Sequence, residues 1–272
     1  MNRSLFLAFS TLGCPAANWE EAAAIARSHR FPGIELRSLR GRTDLPALLK
    51  EEFATPEKMA AAVAASGLRV ASLDGSLRLA DASAAHRAEI AELAVWADAL
   101  GVPWLRVFDG GENDSGSRPE IRRAIRDELA RWADLRAEKG FRCDLVIETH
   151  WALTDPDHCV RLAEELNGSL NLLWDVCHVW RQKRISPVED WKKLRPWVRH
   201  IHIKDLAADP ASPEKLRYVV PGEGIVPIPA LLELLERERF AGAVSLEWEL
   251  LWNPDLPPLE AALASGARHG WW

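Results

Sequence analysis

Four residues in the second half of this 272-residue chain have types and spacing suited to chemistry: Glu148, Asp175, His202 and Glu247. Each ends a short apolar run: Leu145-Val146-Ile147-Glu148, Leu172-Leu173-Trp174-Asp175, Ile201-His202 and Val244-Ser245-Leu246-Glu247. Runs of this kind, bounded by turn residues, read as buried strands. Three carboxylates and an imidazole at buried strand ends lose their hydration, so something positive must hold them. One divalent metal ion does this most simply. With no thiolate and no second essential His at this spacing, the set suits Mn²⁺, Co²⁺, Zn²⁺ or Mg²⁺ and argues against a closed structural zinc site. Coordination positions left open would take adjacent oxygens of a substrate. The competing reading is separate buried ion pairs with Lys204, Arg37 or Arg106. It accounts for any one carboxylate, but poorly for all four groups at strand ends.

Further candidates surround these four. Lys204 shares a strand face with His202 and could neutralise negative charge on a substrate, such as a carboxylate, or simply pair with Glu247 or Asp205. His150 and His200 could orient ligands from behind. Arg37 and Arg106, near the ends of the second and fourth strands, could clamp a carboxylate or phosphate; buried pairing with Glu35 and Asp109 is the plain alternative. The chain has 13 Trp and 1 Tyr. Trp151 and Trp180 follow the fifth and sixth strands and could pack on the C–H face of a sugar. Trp174 and Trp248 have the parity of residues that fill the gap between strands and helices.

These residues need elements to position them. Strand-like segments fall at 4–10, 33–37, 68–73, 104–108, 144–149, 170–175, 198–204 and 243–248. Amphipathic stretches alternate with them at 19–28, 56–66, 84–100, 119–139, 156–167, 187–195, 227–239 and 258–268. Several start with Pro, and Gly67, Gly101 and Gly140 mark ends. Eight strands alternating with eight helices predict an α/β fold, a (β/α)8 TIM barrel forming a single domain over 1–272. No Gly-rich phosphate loop follows an early strand, which disfavours a doubly wound sheet. Strand alternation puts Val146, Glu148 and His150 on one face, His200, His202 and Lys204 on another, and Ser245 with Glu247 on a third. The aliphatic residues lie opposite, so the polar sets point into the barrel mouth. Residues 205–220 read as a loop over that mouth.

The composition narrows the class. The chain is 48% hydrophobic with a formal net charge of −6, which lacks the basic footprint of a nucleic-acid or anionic-membrane partner. No run reaches transmembrane length. The apolar stretch before Gly13-Cys14 is short and broken by Ser10 and Thr11, so it reads as a first strand rather than a leader. Cys14, Cys143, Cys159 and Cys177 are isolated and read as reduced thiols of a cytoplasmic protein. Trp271-Trp272 should cover the barrel or a neighbouring subunit, which leaves a homo-oligomer open.

With these residues in place, the chain resembles the xylose-isomerase-like barrels of sugar phosphate isomerases and epimerases. The pieces that carry the resemblance are Gly33-Ile34-Glu35-Leu36-Arg37, Ile147-Glu148-Thr149-His150, Trp174-Asp175-Val176-Cys177-His178, His200-Ile201-His202-Ile203-Lys204-Asp205, Pro221-Gly222-Glu223-Gly224 and Gly242-Ala243-Val244-Ser245-Leu246-Glu247. In that family the strand-end Glu, the Asp of D-x-x-H, the second His of H-x-H and the final Glu bind the metal. They map onto Glu148, Asp175, His202 and Glu247. His178 resembles the family's substrate-binding His; a helix-capping or surface His is the plain reading.

The resemblance implies proton transfer through a metal-stabilised cis-enediolate of a small sugar or polyhydroxy carbonyl compound, with Glu148 and Glu247 as acid and base. Reprotonation at the same carbon is epimerisation, and at its neighbour isomerisation. Loss of a β-hydroxyl would make the enzyme an inosose-type dehydratase. An endonuclease IV-like phosphodiesterase needs more His and carboxylate ligands and a basic face, and a purely ligand-binding barrel would not need intact Glu148 and Glu247. The loop 150–155 lacks the second Glu, and the segment after His202 lacks the Arg, of the free-ketose 3-epimerases, so ketohexose epimerisation is disfavoured.

Overall fold

Short apolar strands alternate with well-capped amphipathic helices, and the strands close on themselves. The computed structural model describes residues 4–213 and 215–272. Its parallel strands are β1 (Phe6–Ser10), β2 (Gly33–Leu36), β3 (Arg69–Arg78), β4 (Trp104–Phe108), β5 (Asp144–Glu148), β6 (Leu172–Asp175) and β7 (Val198–Ile203). An antiparallel hairpin, β8 (Asp205–Ala208) and β9 (Leu216–Val219), precedes the last barrel strand, β10 (Ala243–Leu246). The eight parallel strands form a closed barrel in the order β1-β2-β3-β4-β5-β6-β7-β10, the expected TIM barrel.

Four helices fall where the periodicity places them: α1 (Trp19–Ser28), α3 (Pro56–Ser66), α4 (Ala84–Leu100) and α5 (Pro119–Lys139). Their ends are chemically marked. Asn18 and Glu21 form a reciprocal capping box on α1, and Gly67 closes α3 in the left-handed region at φ 70°, where a side chain would be strained. The helices α6 (Pro156–Glu165), α8 (Pro187–Leu194), α9 (Ile228–Arg237) and α10 (Leu259–Arg268) start or stop slightly inside the expected stretches.

Three elements depart from the reading. The segment expected as a loop at 205–220 contains the hairpin β8–β9, whose strands are too short to show a clear alternation. Two helices are additional, α2 (Leu45–Phe53) and α7 (Val176–Lys183). The second was hidden because it springs from β6 with no turn residue between. Asp175 ends the strand and also caps the helix, accepting the backbone N–H of His178 at 2.8 Å.

The barrel has two apolar layers of different kinds. Outside the strands, Ile34, Leu36, Ile147, Trp174, Ile201 and Val244 join the main core beneath the helices. Trp174 stacks on Trp191 of α8 with centroids 6.2 Å apart, and Trp248 is buried with its indole N–H donated to Pro257 O, as their parity predicts. Within the strands, Ala8, Ala71 and Ala243 form a small separate cluster with Phe6. Trp271 is fully buried, and Trp272 packs edge-on against Phe31 with centroids 5.1 Å apart while donating to Leu263 O. This terminal pair therefore covers its own chain. No helix among the described residues is long and apolar enough to cross a membrane.

The hairpin is clipped to the barrel by one side chain. The buried Asp205 carboxylate accepts backbone N–H groups of Leu206, Gly222 and Gly224 at 2.9 Å and of Val226 at 3.3 Å. A Cβ on Gly224 would stand 2.0 Å from Asp205 Oδ1, so only glycine fits there. Asp205→Ala is expected to lower unfolding free energy in urea by roughly 2–4 kcal/mol, since several charge-assisted bonds vanish and buried N–H groups are left without partners. An unchanged denaturation midpoint would show that the clip is not structural.

Candidate functional site

The barrel brings the four strand-end groups together. Glu148 is the last residue of β5, Asp175 the last of β6, His202 lies in β7, and Glu247 directly follows β10, its backbone N–H donated to Ile203 O. One ligand atom from each lies within 4.8 Å of the others, and all four residues are buried. Nδ1 of His202 stands 3.3 Å from Glu247 Oε2 and 3.9 Å from Asp175 Oδ2, yet it makes no hydrogen bond. Glu148 Oε2 is likewise buried without one.

The ion pairs weighed as the competing reading are partly present. Arg106 Nε lies 3.2 Å from Glu148 and its Nη2 3.6 Å from Asp74. Lys204 Nζ lies 2.8 Å from Asp175, 2.6 Å from Glu249, and contacts Glu247. Lys204 therefore pairs with Glu247 but not with Asp205, whose carboxylate is occupied by backbone N–H groups. These pairs do not balance the site. Among the described residues, Glu35, Asp74, Glu148, Asp175 and Glu247 are buried here against only Arg37, Arg106 and Lys204.

Proton affinities register the deficit. Burial and then the charge of Glu247 raise the Glu148 carboxyl well above the usual range, despite Arg106 and His202. Burial also disfavours ionised Glu247, but His202 and Lys204 outweigh it and hold that carboxyl well below its ordinary value. In His202, burial is overcome by Glu247 and Glu35, and the imidazole is raised well above its ordinary value. Without an external cation, Glu148 and His202 hold protons more tightly than their ordinary values. Three carboxylates and one imidazole nitrogen converging without enough positive charge are a donor set that fits a hard or borderline divalent ion.

The neighbours form the wall of the mouth. His178 Nδ1 is 3.3 Å from Asp175 Oδ2 and 3.8 Å from Glu148 Oε1, and its ring centroid is 4.3 Å from that of His150. Burial and then Lys204 push His150 down to about 3; burial, Lys204 and His150 push His178 well below its ordinary value. Both are neutral imidazoles at neutral pH. Trp151 lies against His150, centroids 3.8 Å apart, with Arg78 over its ring. Trp180 is instead absorbed into the hydrophobic core, with Arg184 over its ring.

Two expected pairs are replaced by others. Arg37 does not pair with Glu35: its guanidinium donates to Thr43 O, Asp74 O and Ser76 Oγ, tying the loop after β2 to the end half of β3. Arg106 does not pair with Asp109, whose buried carboxylate accepts the backbone N–H groups of His150, Trp151 and Leu153 at 3.1, 2.9 and 2.8 Å. Asp109 thereby shapes the loop that carries His150 and Trp151.

Sequence reasoning missed three participants. Glu35 bonds His202 rather than Arg37, although its place between Ile34 and Leu36 on β2 was a parity signal for the interior. Asp74 lies just past the expected end of the third strand, which in fact continues to Arg78. Glu249 joins Lys204 to Tyr218, whose hydroxyl donates to it at 3.0 Å, and nothing local marked that pairing. Asp109→Ala is expected to lower the thermal midpoint by several degrees, roughly 2–4 °C per kcal/mol for a chain of this size. Its loss should also increase hydrogen exchange at the N–H groups of His150, Trp151 and Leu153; unchanged exchange would reject the loop-shaping role.

Known proteins share this architecture. A curated 3-dehydroshikimate dehydratase from Bacillus anthracis is 23% identical over 249 residues, 85% of each chain. The solved structure of the IolI protein with a bound zinc atom superposes with a TM-score of 0.74 at 17% identity, covering 98% of this chain and 96% of that one. The 3-keto-D-glucoside 4-epimerase YcjR from E. coli gives 0.71 at 17% identity, over 99% of this chain and all of its own. The family model described as xylose isomerase-like TIM barrel matches residues 23–269, and the chain belongs to that family.

Proposed function

We propose that this protein is a divalent-metal-dependent enzyme that moves a proton on the carbon beside the carbonyl of a small, sugar-like polyhydroxylated compound, as an isomerase or epimerase. The observation that carries the reading is the convergence of buried donors from Glu148, Asp175, His202 and Glu247 within 4.8 Å. Those four residues would hold the ion. When bound, a divalent ion supplies Lewis acidity to neighbouring carbonyl and hydroxyl oxygens, which acidifies the C–H between them. A neighbour of known structure that carries zinc supports a metal in this fold.

The remaining steps belong to the side chains. Glu148 and Glu247 come from β5 and from the end of β10, strands separated in the barrel by β6 and β7, so they flank a bound carbon from two sides. One, as a carboxylate, removes the proton, and the other, starting as a carboxylic acid, delivers a proton and ends ionised. Arg106 and Lys204 are buried cations beside these carboxylates and offset the negative charge that develops on the substrate. His150 and His178, both neutral, exchange hydrogen bonds with substrate hydroxyls without adding charge. Trp151 offers an indole face to the C–H side of the ligand.

A dehydratase is the second reading, and the similarity to the 3-dehydroshikimate dehydratase is the observation that favours it. It shares the proton abstraction; the electron pair then expels the β-hydroxyl, which leaves as water after protonation by a mouth residue. The substrate in both readings is a small molecule and not a nucleic acid, in keeping with the net charge of −6.

Elemental analysis of purified protein should show about one divalent ion per chain, as the four-donor site predicts. Asp175→Ala and His202→Ala should each abolish it. A wild type without metal, and without rescue of activity by added Mn²⁺ or Co²⁺, would sink the reading. Incubating ketoses, inososes and 3-dehydroshikimate in D₂O tests the chemistry independently. Deuterium uptake into recovered sugar marks isomerisation or epimerisation, and loss of water marks dehydration. Glu148→Gln and Glu247→Gln should each slow the reaction by about 10²-fold or more. Uptake that survives both substitutions would reject the acid/base pair.

A further inference from the structure

Glu35 has no role in the mechanism above, yet it is fully buried inside the barrel and makes an unusually specific contact. Both of its oxygens lie 3.0 Å from Nε2 of His202. Its Oε2 is also 3.0 Å from Nε2 of His200, which lies 2.7 Å from Ser245 Oγ. The barrel register explains the reach. Glu35 sits on β2 opposite Ser10 of β1, Ala8 of β1 opposite Ser245 of β10, and Ser245 opposite His202 of β7. The intervening strands present only small side chains there, so a Glu spans two strands to a third.

An ionised carboxylate only accepts hydrogen bonds, so the proton shared with His202 belongs on Nε2. Nδ1, the nitrogen facing Asp175 and Glu247, is then the atom whose second proton a cation would replace to reach its lone pair, and it is the buried atom that lacks a hydrogen bond. We propose that Glu35 is a positioning residue for the metal centre: it fixes the tautomer and ring angle of His202 so that Nδ1 is the ligand atom. A carboxylate behind a ligating imidazole also raises its basicity and strengthens the metal bond. The inference rests on the metal-dependent reading above. It assigns no metal to the group Glu35, His200 and His202, whose close contacts are accounted for as hydrogen bonds.

The test uses the full-length protein loaded with Zn²⁺ and labelled with ¹⁵N-histidine. Long-range ¹H–¹⁵N correlation should show His202 protonated on Nε2 and metal-bound through Nδ1. Competition with a zinc chelator should show Glu35→Gln weakening Zn²⁺ by roughly 10–100-fold while the stoichiometry stays that of the wild type. Glu35→Asp, which keeps the charge, should recover part of the loss. His202 protonated on Nδ1 in the zinc-loaded wild type would overturn the proposal, and this readout stands even if Glu35→Gln does not fold. Wild-type affinity in a folded Glu35→Gln variant would overturn it too. So would two ions per wild-type chain with one lost in Glu35→Gln, because Glu35 would then be a ligand. A wild type that binds no Zn²⁺ would overturn the metal reading itself, and this inference with it.

Discussion

Closing a sheet into a barrel forces every inward-facing side chain at one level into a shared small volume, and here that volume holds more negative than positive charge. Glu35, Asp74, Glu148, Asp175 and Glu247 are buried together with Arg37, Arg106 and Lys204. Burial strips these groups of water, so each must be neutralised by a neighbour, by a proton or by an ion. The local cations are too few and are shared: Arg106 between Glu148 and Asp74, Lys204 among Asp175, Glu247 and Glu249. The proton affinities of Glu148 and His202 rise as a result. A divalent ion relieves the same imbalance without protons, which is why a metal centre and an acid/base pair belong to one physical arrangement.

Not every buried carboxylate contributes to that imbalance. Asp109 and Asp205 are equally buried, but backbone N–H groups converge on their oxygens. They serve as clips, one for the loop carrying His150 and Trp151 and the other for the hairpin after β7. Oxygens satisfied by fixed backbone dipoles have no need of an ion, whereas Glu148 Oε2 is left without a hydrogen bond. Backbone N–H groups on both oxygens mark the structural carboxylates here, whereas Asp175 has one on Oδ1 alone and burial does not distinguish them.

The division of labour between strand faces lets the fold tolerate so charged an interior. Outward-facing side chains such as Ile34, Ile147, Trp174 and Val244 build the large core under the helices, and that apolar burial is the main source of stability. Most of the thirteen tryptophans offer their bulk to packing: Trp174 stacks on Trp191, Trp180 enters the core, and Trp271 is sealed by its own chain. Trp151 differs because the Asp109 clip holds it beside His150 at the mouth.

Local patterns in the sequence determined the alternation of strands and helices, the closed barrel and the strand-end positions of Glu148, Asp175, His202 and Glu247. Those features depend on near neighbours: alternation sorts the two faces of a strand, and Pro, Asn and Gly mark helix ends by local backbone chemistry. What lay beyond the chain's own reading were the pairings across the barrel. Glu35 is 167 residues from His202, yet it bonds that imidazole rather than its near neighbour Arg37. Arg106 chose Asp74 and Glu148 over the nearby Asp109, and Lys204 joined Asp175 and Glu249 as well as Glu247. The hairpin β8–β9 was also invisible locally, because its strands are short and its anchor, Asp205, binds backbone groups up to 21 residues away. These partners are decided by strand register and barrel closure, which bring distant residues to one level and give each buried charge its only available neighbours.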